Sequence, residues 1–296
     1  MPFSMLLQLL LSGITIGSIY AMVALGFNII YNATGIINFA QGEFVMLGGM
    51  IAVSLVNGLH LPIPAAFPIT VLLVTLIGVA FERLCIHPLK HPKILTLVII
   101  TIAASILFKG GAMFVWGKET FSIPHFSGEH PIRFLGATIL PQTLWILSIM
   151  AAVVLLLVLF FRGTMIGKAM RACAANPTAA HLVGIRVKHV VLLSFALSAA
   201  IGAVAGLIIT PIALMDYERG AMLGLKGFGA AIMGGLGNFL GAVVAGLLIG
   251  ILESLSAGLI SSHYKDAIAL VVLLAVLFIK PSGLLGRAEV SKLKEF

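Results

Sequence analysis

The sequence predicts an all-α fold, a polytopic transmembrane helical bundle forming a single membrane domain over residues 1–296. Three observations predict it. The chain is 60% hydrophobic and only 9% charged, against about 25% charged residues in soluble domains, so lipid must be the outer solvent. Its apolar runs have the ~20-residue length of a membrane-crossing helix, whereas a membrane barrel alternates over ~10-residue segments. Its basic residues gather in a few segments between those runs, the pattern of cytoplasmic loops.

In chain order, the stretches near 5–31, 36–56, 66–82, 94–116, 143–161, 190–213, 239–258 and 265–280 are eight candidate crossings. Within hydrocarbon every backbone group must be hydrogen-bonded inside its own segment, which makes each of them a helix. The first has no basic leader and no small-residue cleavage site, so it reads as a retained span. The glycine-dense stretch 221–237 is shorter and fits a ninth crossing, half of a broken helix or a re-entrant element.

Three segments set the orientation. Arg83, Lys90 and Lys93 lie in 82–93; Arg162, Lys168, Arg171, Arg186 and Lys188 in 162–188; Lys280, Arg287, Lys292 and Lys294 in the tail. Together they hold 12 of the 18 basic residues but, of the 10 acids, only Glu82, Glu289 and Glu295. All three are expected in the cytoplasm, with the N-terminus outside. The net charge of +8 is then an orientation signal and not a nucleic-acid signal. Keeping the tail inside requires an odd number of crossings, which favours a ninth from 221–237. Cys85 and Cys173 fall in or beside the cytoplasmic segments and are expected as free thiols. The longest outer connection, 117–142, contains Pro124, Pro131 and Pro141 and is too short for a core of its own.

Gly13/Gly17, Gly202/Gly206 and Gly237/Gly241, with Ala245 after them, are spaced four apart, as small residues are where membrane helices approach closely. Residues 44–49 (FVMLGG) resemble 230–235 (AAIMGG), an echo of the inverted repeats found in transporter folds.

Polar residues inside apolar stretches are the candidate functional groups. Asn38, Gln41 and Glu43 open the second stretch. They form either a helix-start cluster, with Glu43 stabilised by the first-turn dipole, or the lining of a path or gate. Asn28 needs an interhelical or substrate partner, and Glu253 needs a paired or wet environment. Lys226 either snorkels or marks a stretch that is not a plain crossing. Asp216, Tyr217, Glu218 and Arg219 make an outer polar cluster after Pro211.

In the inner loop near 162–189, residues 165–175 can form a short helix that Asn176-Pro177 interrupts. A second short helix over 178–183 would end at Gly184. Such a pair could dock into another protein's groove or lie along the membrane surface. Enzymatic readings find no support, because the chain has no Walker phosphate loop, no HExxH, no serine-centred elbow and no cysteine pair of metal-site spacing.

The stretches 17–49, 167–185, 226–255 and 280–287, above all INFAQGEF, RACAANPTAAHLVGI and AAIMGGLGN in that order, resemble the high-affinity branched-chain amino acid permeases of bacterial ATP-binding-cassette importers. The resemblance covers nearly the whole chain and implies the importer-permease type of bundle in a bacterial inner membrane. It implies a related permease subunit as partner, two cytoplasmic ATP-binding subunits that carry the hydrolysis, and an external or periplasmic substrate-binding protein that largely sets specificity. Neither a cofactor nor a nucleic-acid partner is implied. Coupling to the ATPases would fall on Arg171, Ala175, Asn176, Ala180 and Gly184. The general importer loop begins with a glutamate that Cys173-Ala174-Ala175 lacks. Leucine, isoleucine and valine lead as cargo, with urea, short-chain amides or other amino acids as alternatives. A gradient-driven secondary transporter would instead need mid-membrane acids, for which Glu43 and Glu253 are the candidates.

Overall fold

The computed structural model describes residues 3–89, 93–128, 130–134 and 136–286. Lys90 in the first basic loop and Arg287, Lys292 and Lys294 in the tail lie outside the described residues. The helices are α1 (Phe3–Thr34), α2 (Gln41–Val53), α3 (Ile63–Phe81), α4 (Ile94–Trp116), α5 (Pro141–Gly163), α6 (Met165–Ala175), α7 (Pro177–Leu182), α8 (Val187–Ile209), α9 (Arg219–Gly234), α10 (Phe239–Leu259) and α11 (Lys265–Ile279). A two-stranded antiparallel hairpin, β1 (Ile132–Phe134) and β2 (Ala137–Ile139), lies within the connection 117–142.

Among the described residues, seven helices are long and apolar enough to cross a membrane: Phe3–Thr34, Ile63–Ile86, Ile94–Trp116, Pro141–Gly163, Val187–Ile209, Phe239–Leu259 and Ser262–Ile279. This corrects the expectation that 36–56 is an ordinary span. Gly35 adopts φ +70° and Asn38 Oδ1 accepts from Ala40 N at 3.1 Å, so the chain turns locally and the helix starts only at Gln41. It runs 13 residues before a five-residue π-helical turn, Ser54–Gly58. The stretch 221–237 is likewise a short helix: α9 has 16 residues, about 24 Å of rise against a hydrocarbon core of about 30 Å. Pro211 stands in the irregular chain before it, and Gly235 and Gly237, at φ +99° and +87°, turn the chain after it.

The chain divides into two compact units. Unit 1 comprises Met1–Asn28, His125–Met150 and Lys226–Phe296. In it α1 and α10 meet through glycines: a Cβ on Gly13 would lie 2.6 Å from Ile251 Cα, and one on Gly17 would lie 2.8 Å from Gly246 O. The Asn28 amide links α1 to the turn before α10, donating to Asn238 O (3.0 Å) and accepting from Gly237 N (3.1 Å). The hairpin is pinned by Gln8 Oε1, which accepts from Thr138 N at 2.7 Å. Helix α11 is thinly covered, with Ala269 its one buried residue.

Unit 2 comprises Ile29–Pro124 and Ala151–Leu225. Every residue of α2 except Ile51 is buried. Gly48 lies against Ala203 of α8, where a Cβ would come within 2.6 Å of Ala203 Cα, and Gly206 of α8 lies against the Val45 backbone. Phe81 stacks edge-on against Phe195 and Phe108, with centroids 5.6 and 5.9 Å apart. A helix buried on all sides must be apolar all round, and α2 is, apart from the polar residues at its first turn.

Candidate functional site

That first turn of α2 and the bend just before it hold the candidate path or gate residues. Asn38 and Gln41 are fully buried and Glu43 is 1% exposed, so Glu43 is shielded from lipid by protein. Gln41 Nε2 donates to Ser198 O at 3.3 Å, and Ser198 Oγ donates back to Gln41 Oε1. Ser105 Oγ donates to Glu43 Oε1 at 2.9 Å. Glu43 Oε2 fits only because residue 220 is glycine, whose Cβ would stand 2.5 Å from it. Glu43 Oε2 and Asn38 Nδ2 have no hydrogen-bond partner among the described residues. Asn38 stands in the bend just before α2 and Gln41 and Glu43 in its first turn, and the last two reach α8 and α4 respectively.

In the loop 162–189, Thr164 caps α6 by accepting from Gly167 N (2.9 Å). Gly167, Met170 and Cys173 form the buried face of α6, and burial pushes the Cys173 thiol pKa up. Asn176 ends α6, its N–H bonding Ala172 O at 3.0 Å, and starts α7, its Oδ1 accepting from Ala179 N at 3.0 Å. Pro177 takes the first position of α7. Gly184 N bonds His181 O and Ile185 N bonds Ala180 O, each at 3.0 Å, with Gly184 at φ +87°. This is a Schellman stop. Arg171, Ala175, Asn176 and Gly184 are exposed, whereas Ala180 is buried. Nothing in the chain lies within 4 Å of where a Cβ on Gly184 would be, and glycine is favoured there by the backbone conformation. Leu182 and Val183, 82% and 77% exposed, are with Met165 and Ile166 of α6 the exposed large apolar residues of the loop, and the sequence reading passed over them.

A second polar cluster was missed as a cluster. Lys226 of α9 lies 2.9 Å from Glu253 Oε1 of α10 and 2.7 Å from Asp266 Oδ1 of α11. Tyr20 of α1 donates its hydroxyl to Glu253 Oε2 at 2.7 Å. Glu253 therefore has the partners it lacked in the sequence, and Lys226 points into protein. The spacing between these residues gives no periodic signal. The outer group is largely a helix cap: Asp216 Oδ1 accepts from Glu218 N and Arg219 N, at 2.8 and 3.0 Å, where α9 begins. Glu218 also pairs with Lys109 at 3.3 Å. At the end of α3, buried Glu82 stands 3.5 Å from His87 Nδ1.

Helices of membrane-crossing length, two short helices set at breaks in the chain and a capped two-helix loop define a multi-pass membrane protein. The chain belongs to the family described as branched-chain amino acid transport system, permease component, which matches residues 9–277. It is 33% identical to the high-affinity branched-chain amino acid transport system permease protein LivH of Escherichia coli K12, over 98% of each chain. It is also 33% identical to BraD of Pseudomonas aeruginosa, over 97% of each. The ribose import permease protein RbsC of Haemophilus influenzae is 32% identical over 88% of this chain and 81% of that one.

Proposed function

We propose that the chain is a permease subunit of an ATP-driven importer in a bacterial inner membrane, carrying leucine, isoleucine and valine. With a related permease it forms the translocation path. Two cytoplasmic subunits hydrolyse ATP, and an external binding protein delivers cargo. Full-length similarity to permeases named for branched-chain amino acid transport supports the cargo. The inner loop carries the energetic part of the reading. Two short helices, capped by Thr164 and Asn176 and stopped at Gly184, leave Leu182 and Val183 exposed on a loop that also carries exposed Arg171. An exposed apolar pair on a rigid, basic segment suits a groove in a partner, because the pair is costly in water and the caps leave little entropy to lose on docking. Asn38, Gln41 and Glu43 would then line or gate the path at the first turn of α2.

The test is co-purification and uptake with Leu182→Asp/Val183→Asp. Both side chains are exposed, so folding should survive while the ATP-binding subunits are lost from the complex and leucine uptake falls to background. Undiminished ATPase binding and uptake would remove the loop as the docking site. Uptake that persists without the ATP-binding subunits would favour a gradient-driven carrier.

A further inference from the structure

Helix α9 brings Lys226 into unit 1, where its ammonium meets groups from three other helices. Nζ donates to Tyr20 Oη at 3.1 Å and to Asp266 Oδ1 at 2.7 Å. Glu253 Oε1, 2.9 Å away, is an ion-pair neighbour without hydrogen-bond alignment, and no other described group donates to it. An ammonium has three donors, so one N–H of Lys226 is not engaged in an aligned bond. The charges are unequal as well: one cation faces two carboxylates. The Glu253 side chain is 7% exposed and the Lys226 side chain 17%, whereas that of Asp266 is 44% exposed. Lys226 and Glu253 therefore neutralise each other inside the bundle, and the surplus negative charge sits on the open member.

The result is a cation with a spare donor beside a half-exposed anion with a second oxygen, 2.7 Å apart. A molecule with an ammonium and a carboxylate on one carbon is complementary to that pair. Its carboxylate can take the third N–H of Lys226 while its ammonium takes the outer oxygen of Asp266, so that four charges alternate in sign. A sugar hydroxyl or a neutral amide offers only dipoles, and hydrogen bonds between charged groups are roughly twice as strong as neutral ones. Asp266 lies in the first turn of α11 and Glu253 in the C-terminal half of α10, on either side of the 260–264 turn. With the basic loops inside, that turn faces outward, where cargo arrives.

We propose that Lys226 and Asp266, held in place by Tyr20 and Glu253, form a head-group site for a zwitterionic α-amino acid. The inference rests on the reading of the chain as an amino acid permease. The test uses the chain purified with its co-purifying partners but without the binding protein. Ligand-induced thermal shifts are titrated with leucine, isoamylamine, which lacks the carboxylate, isocaproate, which lacks the ammonium, and ribose. Leucine should bind, and each single-charge probe should bind at least about tenfold more weakly. Asp266→Asn should cost leucine at least about tenfold in affinity while leaving isocaproate unchanged, and Asp266→Glu should restore leucine binding. A purely structural role would instead lower the unliganded melting temperature and leave the order of the probes as it was. Wild-type affinity for leucine in Asp266→Asn, isoamylamine binding as tightly as leucine, or no leucine binding by the wild type would each overturn the site. ATP-driven leucine uptake by the complete wild-type system, measured in parallel, separates the two readings: its absence refutes the cargo, and its presence beside an unaffected Asp266→Asn refutes this site alone.

Discussion

Replacing Gly13 by alanine should pry α1 from α10. The added Cβ would stand 2.6 Å from Ile251 Cα and 2.9 Å from Gly250 O. Relaxed carbon contacts need about 3.5–4.0 Å, so the helices must part by about 1 Å. Both obstructing atoms belong to the backbone, so no rotamer change relieves the clash. Overpacking of this kind costs about 1–3 kcal/mol, and the better helix propensity of alanine returns at most about 1 kcal/mol. With the full propensity gain subtracted, a net loss of up to about 2 kcal/mol should remain. The internal control is Gly110→Ala in α4, where nothing lies within 4 Å of the new Cβ. There the propensity gain acts alone, and stability should hold or rise. Thermal unfolding of the two purified variants in one lipid environment reads the difference directly, with Gly13→Ala several degrees below Gly110→Ala. Equal melting temperatures would refute the argument that this glycine serves helix approach.

Lys226→Met should destabilise by about 3–5 kcal/mol because it strands buried Glu253 without a counter-charge; adding Glu253→Gln should recover part of the loss, and a double variant no better than the single would sink the pairing. Gly184→Ala forces a Cβ into φ +87° and should cost about 1–2 kcal/mol, Gly184→Asn less; faster proteolysis of the loop, in that order, is the readout. Burial raises the Cys173 thiol, so N-ethylmaleimide at pH 8 should label it slowly until detergent denaturation exposes it. A raised acid contributes stability that is fully present below the ordinary thiol pKa and is lost as pH rises from there through the raised folded one, so Cys173→Ala should flatten the fall of the melting temperature above the ordinary thiol range. A cysteine replacing exposed Lys168 should react with an impermeant reagent in inside-out vesicles and not in sealed cells; labelling from outside would overturn the orientation.

Much of the fold could be read from the sequence because lipid imposes a length on every spanning helix, and α4, α5, α8 and α10 fall close to the expected limits. Short elements escaped that rule. Helix α2 begins five residues later than its apolar stretch because Gly35 and the Asn38 turn consume the polar run, and hydropathy averages over both. Gly13/Gly17 and Gly202/Gly206 proved to be helix contacts, but Gly237 is a turn glycine at φ +87°, and spacing cannot tell a left-handed residue from a packed one. The partner stripe Gly246/Gly250 lay in the sequence at the same spacing and was not read. At the polar sites, type was legible and pairing was not. Glu253 and Lys226 were each conspicuous as isolated charges, yet their meeting depends on four helices from distant parts of the chain. The loop 162–189 was the most legible because its stops are local: Asn176, Pro177 and Gly184 act within a few residues of themselves, while the Thr164 cap, equally local, was not read.

The joint at Asn176 has a mechanical consequence. Helices α6 and α7 share this residue, with no spacer between the end of one and the start of the other. Its backbone N–H is tied backward to Ala172 and its side chain forward to Ala179, so the torsions on either side are held by bonds belonging to different helices. Opening the elbow breaks one or both, at about 0.5–1.5 kcal/mol each, whereas a glycine linker would bend for nearly nothing. The joint is therefore stiffer than a glycine linker would be, and Gly167 of α6, packed on Phe160 and Phe161, ties the pair to the end of α5.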